Sequence, residues 1–326
     1  MVRNHLEQIN FFTPIQPYIL QVEARMRKKT DGHHPDLDLA LEHLLSSGGK
    51  RVRPAVALLT GGMYGADPER LVTLGAAIEL LHTATLVHDD LIDGAMFRRG
   101  IATLNARWSP AATVLTGDYV FARAAQLAAE TNSVEVMHIF AETLATIVSG
   151  ELTQMFTSHG LASRENYYQR IYAKTASMFV LATSAAAILA SVDAEVVRSA
   201  RQFGNDIGMA FQIIDDILDF TGEQATIGKP VASDLRLGLV TLPALYYIEA
   251  RPEDPDMRSI MDGQYLSEER MERLISEIRQ SGAIAQAMDE ARHYVNCALD
   301  NLRLQPECTE RYALEELTSF IVQRSQ

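Results

Sequence analysis

The sequence predicts an all-α protein. Apolar residues recur at intervals of three and four along almost the whole chain, and the apolar–polar alternation that is typical of strands is nearly absent. Glycine and proline interrupt the pattern often enough to leave about ten or more helices. Five of the predicted helices are long enough to cross a domain of this size: 70–94, 111–130, 133–157, 164–191 and 194–220.

The boundaries of the predicted helices are set by residues that end helices. Glycine weakens a helix interior, and proline lacks the backbone N–H and clashes with the preceding turn. Such interruptions occur, in chain order, at Asp31-Gly32, Ser47-Gly48-Gly49, Tyr64-Gly65-Ala66-Asp67-Pro68, Ser109-Pro110, Ser158-His159-Gly160, Thr221-Gly222, Pro252-Glu253-Asp254-Pro255 and Gln305-Pro306. No segment has the composition of a linker, so we expect a single domain over residues 1–326.

The composition is that of a globular protein. Hydrophobic residues make up 47% and charged residues 22% of the 326 residues. The richest apolar stretch, 178–190, has about 13 residues and predicts a core helix rather than a membrane span. Two cysteines without metal-ligand spacing and an N-terminus without a secretory apolar region predict a cytoplasmic location. The formal net charge of −13 disfavours nucleic acid as a partner.

Two acidic motifs of identical spacing are the strongest chemical signal. Asp89-Asp90-Leu91-Ile92-Asp93 and Asp215-Asp216-Ile217-Leu218-Asp219 each follow an apolar helical run. The first and fifth positions of a helix lie on one face, and the second lies about 100° around the axis. Crowded carboxylates repel one another and lose solvation in an apolar setting, so they are rarely kept without a cation. Because charged oxygen ligands suit a hard ion, we predict a Mg2+ site.

Basic residues near predicted helix ends indicate an anionic substrate. Lys50 and Arg53 stand three residues apart behind a glycine pair, so a first helical turn can direct both to one side. Lys229 lies in a loop interrupted by glycine and proline, which predicts a lid. The other candidate cations and donors are His82, Arg98, Arg99, Lys174 and Thr175.

Taken together, the motifs resemble those of the trans-isoprenyl diphosphate synthase family over nearly the whole chain. The matching features are Gly-Gly-Lys-Arg-Val-Arg-Pro at 48–54, both acidic motifs in order, Arg98-Arg99-Gly100, Lys174-Thr175, Phe211-Gln212 and Gly228-Lys229-Pro230. The resemblance implies the isoprenoid synthase fold, an all-helical bundle around a central cavity, and a homodimer. It also implies repeated condensation of isopentenyl diphosphate with an allylic diphosphate. Peripheral membrane contact for product release is compatible with this reaction.

The resemblance further implies the roles of individual residues. Mg2+, as roughly three ions with substrate bound, would be held directly by Asp89, Asp93 and Asp215, with Asp90, Asp216 and Asp219 supporting directly or through water. The allylic diphosphate would be held by Arg98, Lys174 with its neighbour Thr175, Gln212 and Lys229, and isopentenyl diphosphate by Lys50, Arg53, His82 and Arg99. Two positions depart from the family pattern. Leu239 stands where many shorter-chain relatives carry a lysine, and Ala232 stands where glycine is frequent.

Product length is predicted from the helix that carries the first motif. Ala84 and Thr85, about one turn before Asp89, would form the cavity wall, and Leu81 would be the next restriction. Short-chain members of the family that the chain resembles carry bulky aromatic residues there, so the resemblance implies an open tunnel and a heptaprenyl to nonaprenyl product, with octaprenyl at the centre. A phenylalanine at Ala84 is then expected to shorten the product. Met155 and Phe156 are candidates for a deeper floor, or for core packing.

Other functions remain open from the sequence. The chain could be a partner-dependent subunit of a heteromeric synthase, a shorter-chain farnesyl or geranylgeranyl synthase, a terpene cyclase or a head-to-head prenyl synthase. A cyclase or head-to-head enzyme does not need the second anion pocket of Lys50, Arg53 and Arg99. Consumption of isopentenyl diphosphate by the purified chain distinguishes these cases.

Overall fold

Helix boundaries follow the predicted interruptions closely. The computed structural model describes residues 10–28, 34–46, 48–98, 100–157, 163–222 and 231–323. After a short 3-10 helix, Asn10–Ile15, the helices are α1 (Gln16–Met26), α2 (Pro35–Ser46), α3 (Val52–Met63), α4 (Pro68–Ile92), α5 (Pro110–Glu130), α6 (Val134–Thr157), α7 (Arg164–Ile171), α8 (Ser177–Leu189), α9 (Ala194–Thr221), α10 (Ser233–Arg236), α11 (Leu242–Ala250), α12 (Pro255–Met261), α13 (Glu268–Gln280), α14 (Ala283–Arg303) and α15 (Thr309–Gln323). The all-α prediction is confirmed.

Local chemistry explains where the long helices begin. Asp67 accepts a hydrogen bond from the backbone N–H of Glu69, and Ser109 accepts one from the N–H of Ala112. These side chains satisfy donors that the first helical turn leaves unpaired. Proline follows each cap at the first helical position, where its missing N–H costs nothing. The sequence therefore fixes the starts of α4 and α5 locally.

A hairpin of two strands, each two residues long, follows α4 and was not predicted from the sequence. Strands β1 (Phe97–Arg98) and β2 (Ile101–Ala102) pair antiparallel, with Phe97 opposite Ala102 and Arg98 opposite Ile101. Such short strands carry too little alternation to be detected by pattern. The hairpin fixes the position of Arg98, which follows the first acidic motif in the sequence.

Contacts divide the chain into two compact units, and the acidic motifs lie in different ones. Unit 1 comprises residues 1–142, 178–201 and 302–316, and unit 2 comprises 143–177, 202–301 and 317–326, within their described parts. In unit 1, α4 packs on α1, α3 and α5. Every residue of α4 from 71 to 81 is buried, whereas beyond 81 only Ala84, Val87 and Asp90 are. The C-terminal half of α4 therefore leaves one face accessible.

Unit 2 is organised around the C-terminal part of α9. Ile213, Ile214, Ile217 and Phe220 are fully buried or nearly so. The half-buried positions are Phe211, Gln212, Asp215, Leu218 and Asp219. This spacing of one, four, seven and eight residues marks a single helix face. α9 thus repeats the arrangement of α4, with one accessible face beside a buried one.

Two helical segments reach membrane-spanning length, and one of them contains residues 178–189 of the predicted core helix. Pro68–Ile92 and Arg164–Leu189 are long and apolar enough by length and composition. Within their most apolar windows, 72% and 83% of the residues are buried inside the protein. Core helices of globular proteins meet the same criteria, because an apolar surface can be buried against protein as well as against lipid.

A buried carboxylate in unit 2 predicts acid sensitivity. Asp256 receives hydrogen bonds from Arg270 at 2.5 and 2.9 Å and from Arg273 at 2.6 Å. Burial alone would raise the pKa of Asp256, but Arg273 and Arg270 outweigh it and lower the pKa. These ion pairs therefore stabilise the fold above the ordinary carboxyl pKa, and the stabilisation is lost as the pH falls through the lower pKa of the folded state.

We expect Asp256→Asn to lower the melting temperature by several degrees at neutral pH. The difference from the wild type should shrink as the pH is lowered below about 4, where the wild-type carboxylate also becomes protonated. Differential scanning fluorimetry across pH 3 to 8 measures this. A difference that is constant with pH would show that the charge of Asp256 does not contribute.

Candidate active site

In unit 1 the first acidic motif lies at the C-terminal end of α4. Asp89 is half-buried and Asp93 is exposed. Asp93 is the C-cap residue, and its backbone N–H donates to the carbonyl oxygen of Asp89 at 2.8 Å. Four residues separate the two side chains, so they lie about 40° apart around the helix. His82 and Thr85 are half-buried on this same accessible face.

The second aspartate of this motif is buried and paired. Asp90 Oδ1 accepts from both Nε and one terminal nitrogen of Arg98, each at 2.8 Å. The buried carboxylate thereby gains the counter-charge that makes its burial tolerable. Arg98, which was predicted to bind the allylic diphosphate, contacts Asp90 here and keeps about a third of its side chain exposed. Its role toward a substrate remains a prediction.

The residues predicted to set product length differ in burial. Ala84 and Leu81 are fully buried, whereas Thr85 is half-buried. Ala84 precedes Asp89 by five residues and so lies about 140° away around α4, whereas Thr85 precedes it by four and lies about 40° away. Ala84 therefore faces protein, and of the two predicted wall residues only Thr85 lies on the aspartate face.

The deeper floor proposed at Met155 and Phe156 is not what the structure shows. Met155 is 54% exposed and Phe156 is 84% exposed, so neither is a buried floor or a core residue within unit 2. With Val148 and Leu152 they form an exposed apolar stripe along α6. The positions differ by four, seven and eight residues, which places them on one face.

The basic segment before α3 places its two predicted substrate cations differently. Lys50 is exposed. Arg53 is half-buried, with its guanidinium carbon 5.2 Å from the centre of the Phe179 ring. At this distance the cation is attracted to the ring face, and the ring restricts its position. Both residues lie in unit 1, whereas Arg99 and Lys229 lie outside the described residues.

In unit 2 the second motif repeats the burial pattern of the first. Asp215 is half-buried and Asp216 is buried. Asp216 accepts hydrogen bonds from the Tyr167 hydroxyl and from Gln212 Nε2, both at 2.8 Å. Burial raises the pKa of Asp216 to about 7, with the nearby carboxylate of Asp234 adding to the shift. The two hydrogen bonds oppose this rise because they favour the charged form.

Gln212 connects the second motif to the predicted diphosphate residues. Its Oε1 accepts from the Thr175 hydroxyl at 2.6 Å, while its Nε2 donates to Asp216. Thr175 and Lys174 belong to a π-helical segment, Tyr172–Ala176, between α7 and α8. Such segments occur frequently at functional sites, because the widened turn redirects side chains. Lys174 Nζ lies 3.1 Å from Glu151 Oε1.

Asp219 binds the start of α10 through its carboxylate. Its Oδ1 accepts from the backbone N–H and hydroxyl of Ser233 at 3.1 and 2.7 Å, and its Oδ2 accepts from the N–H of Asp234 at 3.1 Å. Ala232 adopts φ 54°, in the left-handed region. Glycine adopts this conformation without strain, which accounts physically for a glycine preference at this position. The predicted cation Lys229 precedes this segment, outside the described residues.

Several residues in these contacts were missed from the sequence. They are Tyr167, Glu151 and Ser233, all in unit 2. Each contacts a predicted residue or segment from a different helix, so no short motif contains the pair. Among the described residues, no group of three or more His, Cys, Asp or Glu side chains is arranged to hold a metal ion by itself.

The contact between Tyr167 and Asp216 makes a stability prediction. Tyr167→Phe removes one of the two hydrogen bonds to a buried carboxylate while keeping the ring. We expect a loss of roughly 1 to 3 kcal/mol in the free energy of unfolding, typical of a hydrogen bond to a charged group. Urea denaturation measures it, with the same change at the exposed Tyr265 as the control. Equal stability of both variants would mean that this hydrogen bond contributes nothing.

Comparison with known proteins agrees with the fold. The family model described as polyprenyl synthetase matches residues 34–278. The chain is 35% identical to heptaprenyl diphosphate synthase component 2 of Geobacillus stearothermophilus, covering 93% of this chain and 94% of that protein. It is 34% identical to octaprenyl diphosphate synthase of Escherichia coli (strain K12), covering 87% and 88%. A crystal structure of polyprenyl synthase from Caulobacter crescentus CB15, complexed with calcium and isoprenyl diphosphate, superimposes with a TM-score of 0.89 at 36% identity and covers 97% of each chain.

The helical architecture and its likeness to solved structures place the protein in the isoprenoid synthase fold. The chain belongs to the polyprenyl synthetase family. The predicted resemblance is therefore confirmed, as is the prediction of a prenyltransferase. The single-domain prediction over residues 1–326 and the roles of individual residues remain predictions.

Proposed function

We propose that this chain elongates an allylic diphosphate by repeated condensation with isopentenyl diphosphate, and that the product is a long all-trans polyprenyl diphosphate. One observation carries the proposal. In both acidic motifs the first aspartate is accessible on a helix face, while the second is buried and held by partners from other elements. The same arrangement in two separate helices is expected if each motif presents a fixed carboxylate to a charged ligand.

Mg2+ fits the donors that the two helices offer. Asp89 and Asp93 present carboxylate oxygens on one face of α4, and Asp215 presents one on α9. Mg2+ is typically bound by one or two carboxylates together with substrate phosphates. We infer that Asp89, Asp93 and Asp215 bind roughly three such ions with substrate, and that Asp90, Asp216 and Asp219 support them. The calcium in the related Caulobacter structure supports a divalent ion.

The basic residues would bind the two substrates. Arg98, Lys174 with Thr175, Gln212 and Lys229 are proposed for the allylic diphosphate, and Lys50, Arg53, His82 and Arg99 for isopentenyl diphosphate. When bound, Mg2+ neutralises charge on the leaving diphosphate. Arg98 and Lys174 would add fixed positive charge that need not reorganise during the reaction. To do so, each would direct toward the phosphate oxygens those N–H donors that its present carboxylate partner, Asp90 or Glu151, does not use.

The residues around the substrates then favour condensation with isopentenyl diphosphate over hydrolysis of the allylic diphosphate. The allylic carbon–oxygen bond breaks, the double bond of isopentenyl diphosphate forms the new carbon–carbon bond, and the proton lost from isopentenyl diphosphate passes to the departing diphosphate. No side-chain base is needed for this balance. Apolar walls must exclude water from the allylic cation. Thr85 lies on the accessible face of α4. Of the two predicted wall residues, it is the better placed to limit the length of the prenyl tail.

A direct assay tests the proposal. The purified chain, Mg2+, farnesyl diphosphate and labelled isopentenyl diphosphate are expected to give a ladder of products ending near octaprenyl, read by chromatography after dephosphorylation. Conversion of farnesyl diphosphate without consumption of isopentenyl diphosphate would instead support a cyclase. Omitting Mg2+, or adding a chelator, should abolish label incorporation.

A partner-dependent subunit is the second candidate function. Two relatives carry the description heptaprenyl diphosphate synthase component 2. If the purified chain is inactive and gains activity only with a second polypeptide, this candidate is supported. We favour a homodimer, because the apolar stripe on α6 formed by Val148, Leu152, Met155 and Phe156 is suited to self-association. Light scattering of wild type and of Leu152→Glu would test whether the stripe mediates it.

A further inference from the structure

The basic segment at residues 48–54 contains a third cation, Arg51, whose conformation is unusual. Arg51 adopts φ 49° and ψ 31°, in the left-handed region, immediately before α3. Residues with a Cβ are strained there and persist only where the surroundings fix them. Arg51 begins the helix nevertheless, since its carbonyl oxygen accepts from the N–H of Ala55 at 3.0 Å. Observed strain of this kind is found at ligand-binding segments.

Two glutamates from different helices hold the Arg51 side chain. Its Nε donates to Glu23 of α1 at 3.1 Å, and one terminal nitrogen donates to Glu79 of α4 at 2.9 Å. The side chain of Arg51 is only 10% exposed and that of Glu79 only 7%. A guanidinium offers several donors in a fixed plane, so it can bind two carboxylates at once. α1, α3 and α4 are thereby joined at one residue.

Gly49, two residues before Arg51, approaches this contact closely. A Cβ added at Gly49 would lie 2.8 Å from a terminal nitrogen of Arg51 and 3.4 Å from Glu79 Oε1. Any side chain at 49 would therefore require the end of the Arg51 side chain to shift. The second glycine of the segment is explained by this close approach. Gly48, with φ 69°, supplies the preceding turn.

We propose that Arg51 is a positioning residue for the diphosphate of isopentenyl diphosphate, an inference that rests on the proposed function. Arg51 itself faces the two glutamates. Of its basic neighbours, Lys50 is exposed and Arg53 is half-buried. The left-handed residue fixes how the chain turns between Lys50 and the first turn of α3. Phe179 restricts the position of Arg53. Arg51 would thus set the spacing of two charges that bind one diphosphate.

Glu79 also connects this segment to the first acidic motif. It lies on α4, ten residues before Asp89, in the part of the helix that is buried on all sides. The C-terminal half of the same rigid helix carries Asp89 and Asp93. The ion pair between Arg51 and Glu79 therefore sets the position of the Lys50 and Arg53 pair relative to the carboxylates of α4, all within unit 1.

The test separates positioning from general stability. Arg51→Gly accepts the left-handed backbone without strain but loses both ion pairs, so we expect KM for isopentenyl diphosphate to rise about tenfold or more. KM for the allylic diphosphate should change less than about twofold. Calorimetric binding of isopentenyl diphosphate to the metal-free protein should weaken by a similar factor. Equal changes in both KM values would overturn the proposal.

A double variant addresses loss of folding. Arg51→Met alone leaves Glu79 buried without its counter-charge, which should lower the melting temperature. Arg51→Met with Glu79→Met removes both charges and should restore it, because a buried ion pair can often be replaced by apolar residues. We expect the weak binding of isopentenyl diphosphate to persist in this double variant. Wild-type affinity at wild-type stability would overturn the proposal.

Lys50→Met distinguishes this inference from the proposed function. Lys50 is proposed to touch isopentenyl diphosphate directly, so its loss should raise the same KM. If the Lys50→Met variant binds isopentenyl diphosphate with wild-type affinity, the assignment of this segment as the isopentenyl diphosphate site is wrong. If Lys50→Met weakens binding but Arg51→Gly does not, the pocket stands and only the role of Arg51 is wrong.

Discussion

Asp215→Asn should reduce kcat for chain elongation by about 10² to 10³ or more, with little loss of stability. The variant keeps the shape of the side chain but removes the charge that a divalent ion requires. The magnitude is that of removing one preorganised group that stabilises developing charge. Because Asp215 is half-buried on the accessible face of α9, its replacement leaves the core of unit 2 intact.

The matched control lies on the same helix. Asp206 is buried nine residues earlier, so it lies about 180° around α9 from Asp215. Gln202 and Asn205 donate to its Oδ1 at 2.8 and 3.0 Å. An asparagine side-chain oxygen can accept the same two hydrogen bonds, so an uncharged isostere should be tolerated. We expect Asp206→Asn to retain wild-type kcat. Equal activity of the Asp215 and Asp206 variants would contradict the assigned role of the second motif.

Thr85→Phe should shift the product distribution toward shorter chains. The half-buried Thr85 lies one turn before Asp89 on the same face, where a growing tail would pass. A ring at this position would obstruct the tail soon after the reacting end. We expect the longest product to lose several isoprene units while the first condensation stays fast. Chromatography of dephosphorylated products after short and long incubations measures both effects.

Ala84→Phe is the informative comparison, because the sequence alone assigned it the same effect. Ala84 is fully buried, so added volume must be accommodated by the core of unit 1. Overpacking typically costs about 1 to 3 kcal/mol. We now expect lower stability with little change in product length among molecules that remain folded. If Ala84→Phe shortens the product at unchanged stability, Ala84 does line the tunnel, as first predicted.

The long helices were predictable because their signals are local. The period of apolar residues and the interrupting glycines and prolines placed the helices 70–94 and 194–220 to within about two residues of α4 and α9. The hairpin at 97–102 and the π-helical segment at 172–176 were not predicted. Two-residue strands carry too little pattern, and a single widened turn leaves the helical period almost unchanged.

The sequence by itself determined the fold class, the two acidic motifs and which aspartates share a helix face, because helical period is a property of residue spacing alone. Only the tertiary structure decided that Asp90 pairs with Arg98, that Asp216 is held by Tyr167 and Gln212, and that Ala84 is buried while Thr85 is not. In the sequence Arg51 is one of several cations in a basic segment, and only the structure shows that Glu23 and Glu79 bind its side chain. The physical reason is common to these cases: burial and hydrogen bonding depend on partners from other helices, and the spacing of residues within one helix does not specify them.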